Sequence, residues 1–184
     1  DITDPGVQVI LPYMQSMVIL SRAVAEQGIY PAVDVFNSTS SIMTADVVGE
    51  EHYNAVLATQ QLLNKYTELS HMVAIIGESE LSADQRTDYN RAKKVINYMS
   101  QPFFVAEAQT GVKGHYVARA TTVKNVLAII NGDFDEVPEA DFRNIGDLET
   151  LGGKESQAEK AVLAAQDAKL AEIEAAKPAA AAAA

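Results

Sequence analysis

Cysteine and tryptophan are both absent from this 184-residue chain, and only three histidines occur, at 52, 71 and 115. Without cysteine there is no disulfide and no thiolate metal site, and the redox compartment stays open. The histidines do not stand at ligand spacing, which argues against a histidine-based metal centre. Basic residues are also few: 14 Lys and Arg against 25 Asp and Glu leave a formal charge of -11. A nucleic-acid partner needs clustered cations to displace counterions, so this balance argues against one. Long apolar runs are missing too. The longest, VQVILPYM, is far too short to span a bilayer and is interrupted by Pro12, so any membrane association must go through partners. No GxxxxGK[ST] phosphate loop occurs, and no carboxylate stands in a strand context suited to activating water or holding Mg2+.

What is present suffices for a core: 48% of the residues are hydrophobic. DITDPG at the start carries neither Met nor a charged leader, and the chain reads as cut from a longer one. The β-branched run Val7 to Leu11, ended by Pro12, reads as one strand of a sheet whose other strands lie elsewhere. From Gln15 to Gln27 the positions of Met17, Val18, Leu20 and Val24 predict a short helix closed by Gly28. Tyr30 to Ala45 is then a loop.

Gly49 to Ile76 carries Tyr53, Val56, Leu57, Leu63, Tyr66, Val73 and Ile76 at helical steps, predicting a long amphipathic helix ended by Gly77. Ser82-Ala83-Asp84-Gln85 is a capping box for a second helix, with Tyr89, Ala92, Ile96 and Met99 as its core face and an end near Ser100, ahead of Pro102. A third helix is predicted over Thr122 to Ile130, closed by Asn131-Gly132, with a short turn over Pro138 to Arg143. Beyond Gly152-Gly153 the composition shifts to Ala, Lys, Glu and Gln, ending in six alanines after Pro178. Four apolar residues there are too few to dock a helix, so a solvated helix and a disordered end are expected.

The blocks LSRAVAEQGIYPAVD, STSSIM, VGEEHY, ESELSAD, NRAKKV, SQPFFVAE and TGVKG follow one another without insertion. In this order they resemble the C-terminal part of the catalytic beta subunit of rotary F-type ATP synthases, over roughly Asp1 to Leu151. The resemblance implies a mainly α fold: a short remnant of the α/β nucleotide-binding domain over 1–44, a C-terminal helical bundle over 45–151, and an Ala-rich tail over 152–184. It implies that Tyr30 lies against the adenine of ATP or ADP, that Phe103 closes the other side, and that Pro31, Phe104 and Ala106 complete an apolar slot. Gln109 stands in VAEAQTG where the family has a second pocket phenylalanine, and a glutamine cannot stack with the same apolar payload.

By the same resemblance Glu78, Ser79, Glu80, Leu81, Ser82, Ala83 and Asp84 form the acidic tip that pushes on the central stalk gamma subunit. Here the tip is diluted, with Ser79, Ala83 and Gln85 at usually acidic positions. Tyr53 would border the noncatalytic nucleotide site at the alpha subunit, or serve only as the first core position of its helix. The implied setting is a hetero-hexameric ring with alpha subunits, peripheral on the cytoplasmic face of a bacterial plasma membrane, with the inner face of a mitochondrial or plastid membrane as the alternative. The groups that hold phosphate and Mg2+ would lie upstream of Asp1, so this chain alone is not expected to hydrolyse ATP. The segment VQVILPYMQSMV departs from the family pattern. Two rivals stand beside this reading: a degenerate noncatalytic homologue that holds a ring together, and a free helical interaction module.

Overall fold

A computed structural model describes residues 3–151 and shows a mainly helical chain. Its scaffold is three helices: α4 (Glu50–Ile76), α5 (Ala83–Tyr98) and α7 (Arg119–Asn131). Ahead of them come α1 (Pro5–Ile10), β1 (Ser16–Met17), α2 (Arg22–Glu26), β2 (Thr39–Ser40) and α3 (Ala45–Val48), with α6 (Glu107–Thr110) between α5 and α7. One-turn 3-10 segments lie at 11–13, 78–80, 104–106, 139–142 and 148–150.

Local chemistry marks four of the six ends of the scaffold helices. Gly49 and Gly77 flank α4, both at positive φ (88° and 91°), where a side chain would be strained. Ser82 opens α5 with a complete capping box: its Oγ accepts from the Gln85 amide while the Gln85 side chain accepts from the Ser82 amide. Gly132 closes α7 in the left-handed conformation.

The core gathers one face of each helix: Leu62 of α4, Ala92, Val95 and Tyr98 of α5, Val126 and Ile129 of α7, then Phe142 and Leu148 from the turns that follow. A second cluster nearer the 78–84 turn joins Leu69, Leu81 and Tyr89. Tyr66 serves both and stacks on Tyr89 with ring centres 5.0 Å apart. Burying an aromatic such as Phe142 among these residues supplies about 3 kcal/mol of apolar transfer.

Several expectations are corrected. Residues 7–11 are helical rather than a strand, because Asp4 caps the Gly6 amide at 2.7 Å and Pro5, with its φ preset, occupies the first helical turn. Among the described residues the sheet is internal to the chain: β1 and β2 pair antiparallel, Ser16 with Ser40 and Met17 with Thr39. That pairing takes residues 16 and 17, so the helix expected over 15–27 is reduced to Arg22–Glu26. On α4 the buried stripe is Ala55, Leu62, Leu63 and Leu69, while Leu57 and Ile76 are exposed, since the bundle covers only one side of this helix. On α5 Val95 and Tyr98 take the inward places expected of Ile96 and Met99; Met99 is the cap residue and is exposed. The third helix begins at Arg119, three residues early, and the 139–142 turn lies within the predicted span. The tail beyond 151 lies outside the described residues.

Candidate functional site

Two loops meet at one end of the bundle. The first leaves α2 at Gly28, whose φ of +71° turns the chain away from the helix. It is stitched to the segment before α2 by Ser21 N to Ala32 O (2.9 Å), Asp34 N to Ile19 O (2.8 Å) and a bridge between Leu20 and Val33. The Asp34 carboxylate accepts from the Asn37 side chain and from the amides of Asn37 and Phe36. The Asn37 side chain first, then those amides, hold its pKa below the ordinary value.

The second loop follows α5. Here the Gln101 amide donates to Tyr30 O at 2.7 Å, and the Tyr30 amide donates to Ser100 Oγ at 3.4 Å. These bonds bring the Tyr30–Pro31 peptide, which is cis, beside the start of the segment Pro102 to Ala106. The Gln101 side chain is fixed in turn. Its Nε2 donates to Tyr98 O and Gly146 O, and its Oε1 accepts from the Gly146 amide. Gly114 lets the chain pass close behind: a Cβ there would fall 2.4 Å from Phe104 N. Tyr30 keeps 50% of its surface exposed, and Phe103 and Phe104 keep 43% each, so all three rings retain open area. Pro31 is exposed and Ala106 half-buried. Gln109 lies on the short helix α6, and its side chain is outside the described residues.

Opposite α2, Arg143 reaches across from the bundle. Its guanidinium donates to Gly28 O at 2.6 Å and Gln27 O at 3.4 Å, capping the C-terminus of α2.

The 78–84 tip is built differently. Glu78, Ser79 and Glu80 make one 3-10 turn, and Arg86 donates to Ser79 O at 3.2 Å. Leu81 points inward to Leu69 and Tyr89, so it anchors the tip rather than presenting itself, whereas Glu80, Ser82, Ala83 and Asp84 are exposed. Glu78 lies 3.7 Å from Lys93, which also pairs with Glu139 at 3.4 Å and stands 4.6 Å over the Tyr89 ring. Burial pulls the Lys93 pKa down, but Glu139, Glu78 and Tyr89 together outweigh it and leave it raised. Tyr53 sits in the first turn of α4, half-buried, its amide donating to Gly49 O.

Sequence reasoning missed the polar contacts that join distant segments. Asn125 Nδ2 donates to Tyr98 Oη (3.0 Å) and Asp147 Oδ1 (2.8 Å) inside the core, and Arg143 spans 115 positions to Gly28. No local signal marks such pairs, because each partner alone reads as an ordinary polar residue. Among the described residues no three His, Cys, Asp or Glu stand together as a metal site.

Residues 41–137 match the family described as the C-terminal domain of V and A type ATP synthase. Among solved structures, the chain is similar to the assembled ATPase EscN of the type III secretion system of enteropathogenic E. coli. The TM-score is 0.57 at 18% identity, over 71% of this chain and 29% of that one. The chain therefore spans less than a third of that relative's length, and at this identity the likeness is one of fold.

Proposed function

This chain belongs to the family of C-terminal domains of V and A type ATP synthases, and we propose that within it the chain is the C-terminal portion of a catalytic, beta-type subunit of a rotary ATPase. Its role is to complete the adenine side of a nucleotide site and to carry nucleotide-driven closure to a central stalk. The observation that carries this reading is the backbone junction of Tyr30 with Gln101, which sets two loops bearing half-exposed aromatic rings side by side. Tyr30 and Phe103 offer ring faces to the adenine of ATP or ADP, with Pro31, Phe104, Ala106 and Gln109 around them. Stacking on such faces contributes roughly 1 to 3 kcal/mol per base. Phosphate and Mg2+ are held by residues outside this chain, and the isolated chain does not turn over ATP.

On this reading the bundle moves as a rigid body and its tip, Glu78 to Asp84, acts on a gamma-type stalk. Tyr53 lies toward an alpha-type neighbour in a hetero-hexameric ring, held at the cytoplasmic face of a bacterial plasma membrane through the complex. No helix among the described residues is long and apolar enough to cross a membrane.

The test is nucleotide titration of the full-length subunit in its assembled ring. Tyr30→Ala weakens ADP and ATP binding by roughly 1 to 3 kcal/mol while Tyr30→Phe is nearly neutral; silence of both substitutions ends the adenine assignment. A second reading, a noncatalytic ring subunit, is favoured by Gln109 in the place of an aromatic and by the internal pairing of Glu78 with Lys93. Gln109→Phe separates the two: tighter adenine-nucleotide binding supports the catalytic subunit, and a destabilised fold with no gain in affinity supports the structural one.

A further inference from the structure

We infer that Arg143 is a positioning residue for the Tyr30 loop, and that the turn Glu139–Phe142 is the strut joining that loop to the 78–84 tip. The functional meaning of the strut rests on the nucleotide reading above; its geometry does not.

The strut is clamped to α5 at three points. The Glu139 carboxylate pairs with Lys93, the Glu139 carbonyl accepts from Asn97 Nδ2 at 2.9 Å, and Phe142 is fully buried in the core. Lys93 also pairs with Glu78, so one ammonium ties the tip to the turn. Directly after Phe142 the chain turns outward. Arg143 grips Gly28 O and Gln27 O, and the Asn144 amide donates to Ser100 O at 3.2 Å, the residue whose hydroxyl receives the Tyr30 amide. Residues 28–30 are thus held from one side by Arg143 and from the other by Ser100 and Gln101.

The glycine at 28 serves this contact as well as the turn. A Cβ there would fall 2.6 Å from Arg143 Nη2, so a side chain at 28 displaces the guanidinium. An arginine suits the position because one guanidinium nitrogen, Nη2, reaches both carbonyls at a helix end, where positive charge is favoured. A lysine provides the charge but not the planar guanidinium that holds that nitrogen in place.

Amide hydrogen exchange on the full 184-residue chain tests the inference without any nucleotide. Arg143→Ala speeds exchange at Gly28, Ile29 and Gln101 by about three- to tenfold, the range for losing an exposed charge-assisted hydrogen bond. Amides of buried helix residues such as Val95 and Ile129 stay within about twofold. Arg143→Lys recovers part of the protection. Lys93→Met, at the far end of the strut, speeds exchange at Arg143 and Gly28 as well as at Leu81. The inference is overturned if Arg143→Ala leaves Gly28 and Gln101 unchanged, or if Lys93→Met alters the tip alone. Should Arg143→Ala loosen every amide, Arg143→Lys and Lys93→Met decide by the same criteria. ADP titration of the assembled subunit keeps the two readings apart. If Tyr30→Ala is silent there while Arg143→Ala still frees Gly28, the nucleotide reading fails and the strut stands.

Discussion

Residues 3–44 and residues 45–151 have similar apolar content to offer and use it in opposite ways. In the second region Phe142, Ala92, Val95 and Tyr98 are at most 1% exposed, and helices from three parts of the chain converge on them. In the first region no residue is buried, and Tyr13 (83%) and Leu20 (70%) lie open. The bundle is held by its interior. The leading segment is held by backbone bonds, a short two-stranded sheet and the grip of Arg143, Ser100 and Gln101 on residues 27–30. Rigidity and loop placement are therefore separate jobs: the bundle supplies a fixed frame, and a few polar contacts hang the Tyr30 loop on it.

The contrast is broken most forcefully in the core. Phe142→Ala removes a ring with no exposed surface that meets Phe134 edge-on, and the expected loss is about 3 to 5 kcal/mol in urea unfolding. A loss below 1 kcal/mol would mean that the bundle does not depend on this centre. Next comes Asn125→Ala, which strips a partner from both Tyr98 and Asp147 in a buried setting, with an expected cost of about 1 to 3 kcal/mol. Tyr98 adds a pH signature. Burial first, and Asp147 further, push its pKa above 10.0, with Asn125 and Thr122 opposing. Its contribution to stability is whole below pH 10.0 and is lost as pH rises through the raised folded value. Tyr98→Phe flattens that alkaline limb.

The bundle was legible in the sequence because its signals are local. The glycines at 49, 77 and 132 and the Ser82 box mark helix ends whatever the tertiary context. The leading segment was not. Val7 to Leu11 has β-branched residues that suit a strand, but Asp4 and Pro5 start a helix there, and a strong cap outweighs a weak propensity. Inside the bundle the period was read correctly and the phase in part: Tyr89 and Ala92 are buried as expected, whereas Met99, at helical spacing from Ala92, faces out. For the candidate site, the identity of the loops came from residue order, whereas Gln101 and Arg143, which fix their placement, are joined by contacts across 45 to 116 positions where they leave the local sequence, and Lys93 joins Glu78 to Glu139. Spacing arguments do not reach that far.

A smaller effect is expected at the Arg91–Asp135 pair. Arg91 makes a two-pronged bond to the Asp135 carboxylate and donates a third hydrogen bond to Ile130 O at 3.0 Å, joining α5 to the turn after α7. The Arg91 hydrogen bond holds the Asp135 pKa below 3.8, against the opposing effect of burial. This stabilisation is present above pH 3.8 and is lost as pH falls through the lowered folded value. Because Asp135 is more than a third exposed, solvent screening limits the effect, and Asp135→Asn costs about 1 kcal/mol or less at neutral pH. The checkable outcome is the acid limb of stability: it becomes shallower in the variant, and an unchanged limb would assign acid unfolding to other carboxylates.

The smallest expected effect lies in the leading segment. Tyr13→Ser in this chain changes the unfolding free energy by no more than about 0.5 kcal/mol, since a ring with 83% of its surface in water loses almost no burial when it is removed. A cost above about 1.5 kcal/mol would contradict the comparison outright, because only a ring packed in a core carries that much. The same substitution sharpens the proposal about the longer subunit. If the open apolar side chains of residues 9–20 are covered by the rest of a nucleotide-binding domain, Tyr13→Ser and Leu20→Ser become costly there, by about 1.5 to 3 kcal/mol for a side chain that is buried. Equal, near-zero effects in both settings would leave these residues solvated in the full subunit too, and would remove the argument that residues 3–44 complete a larger domain.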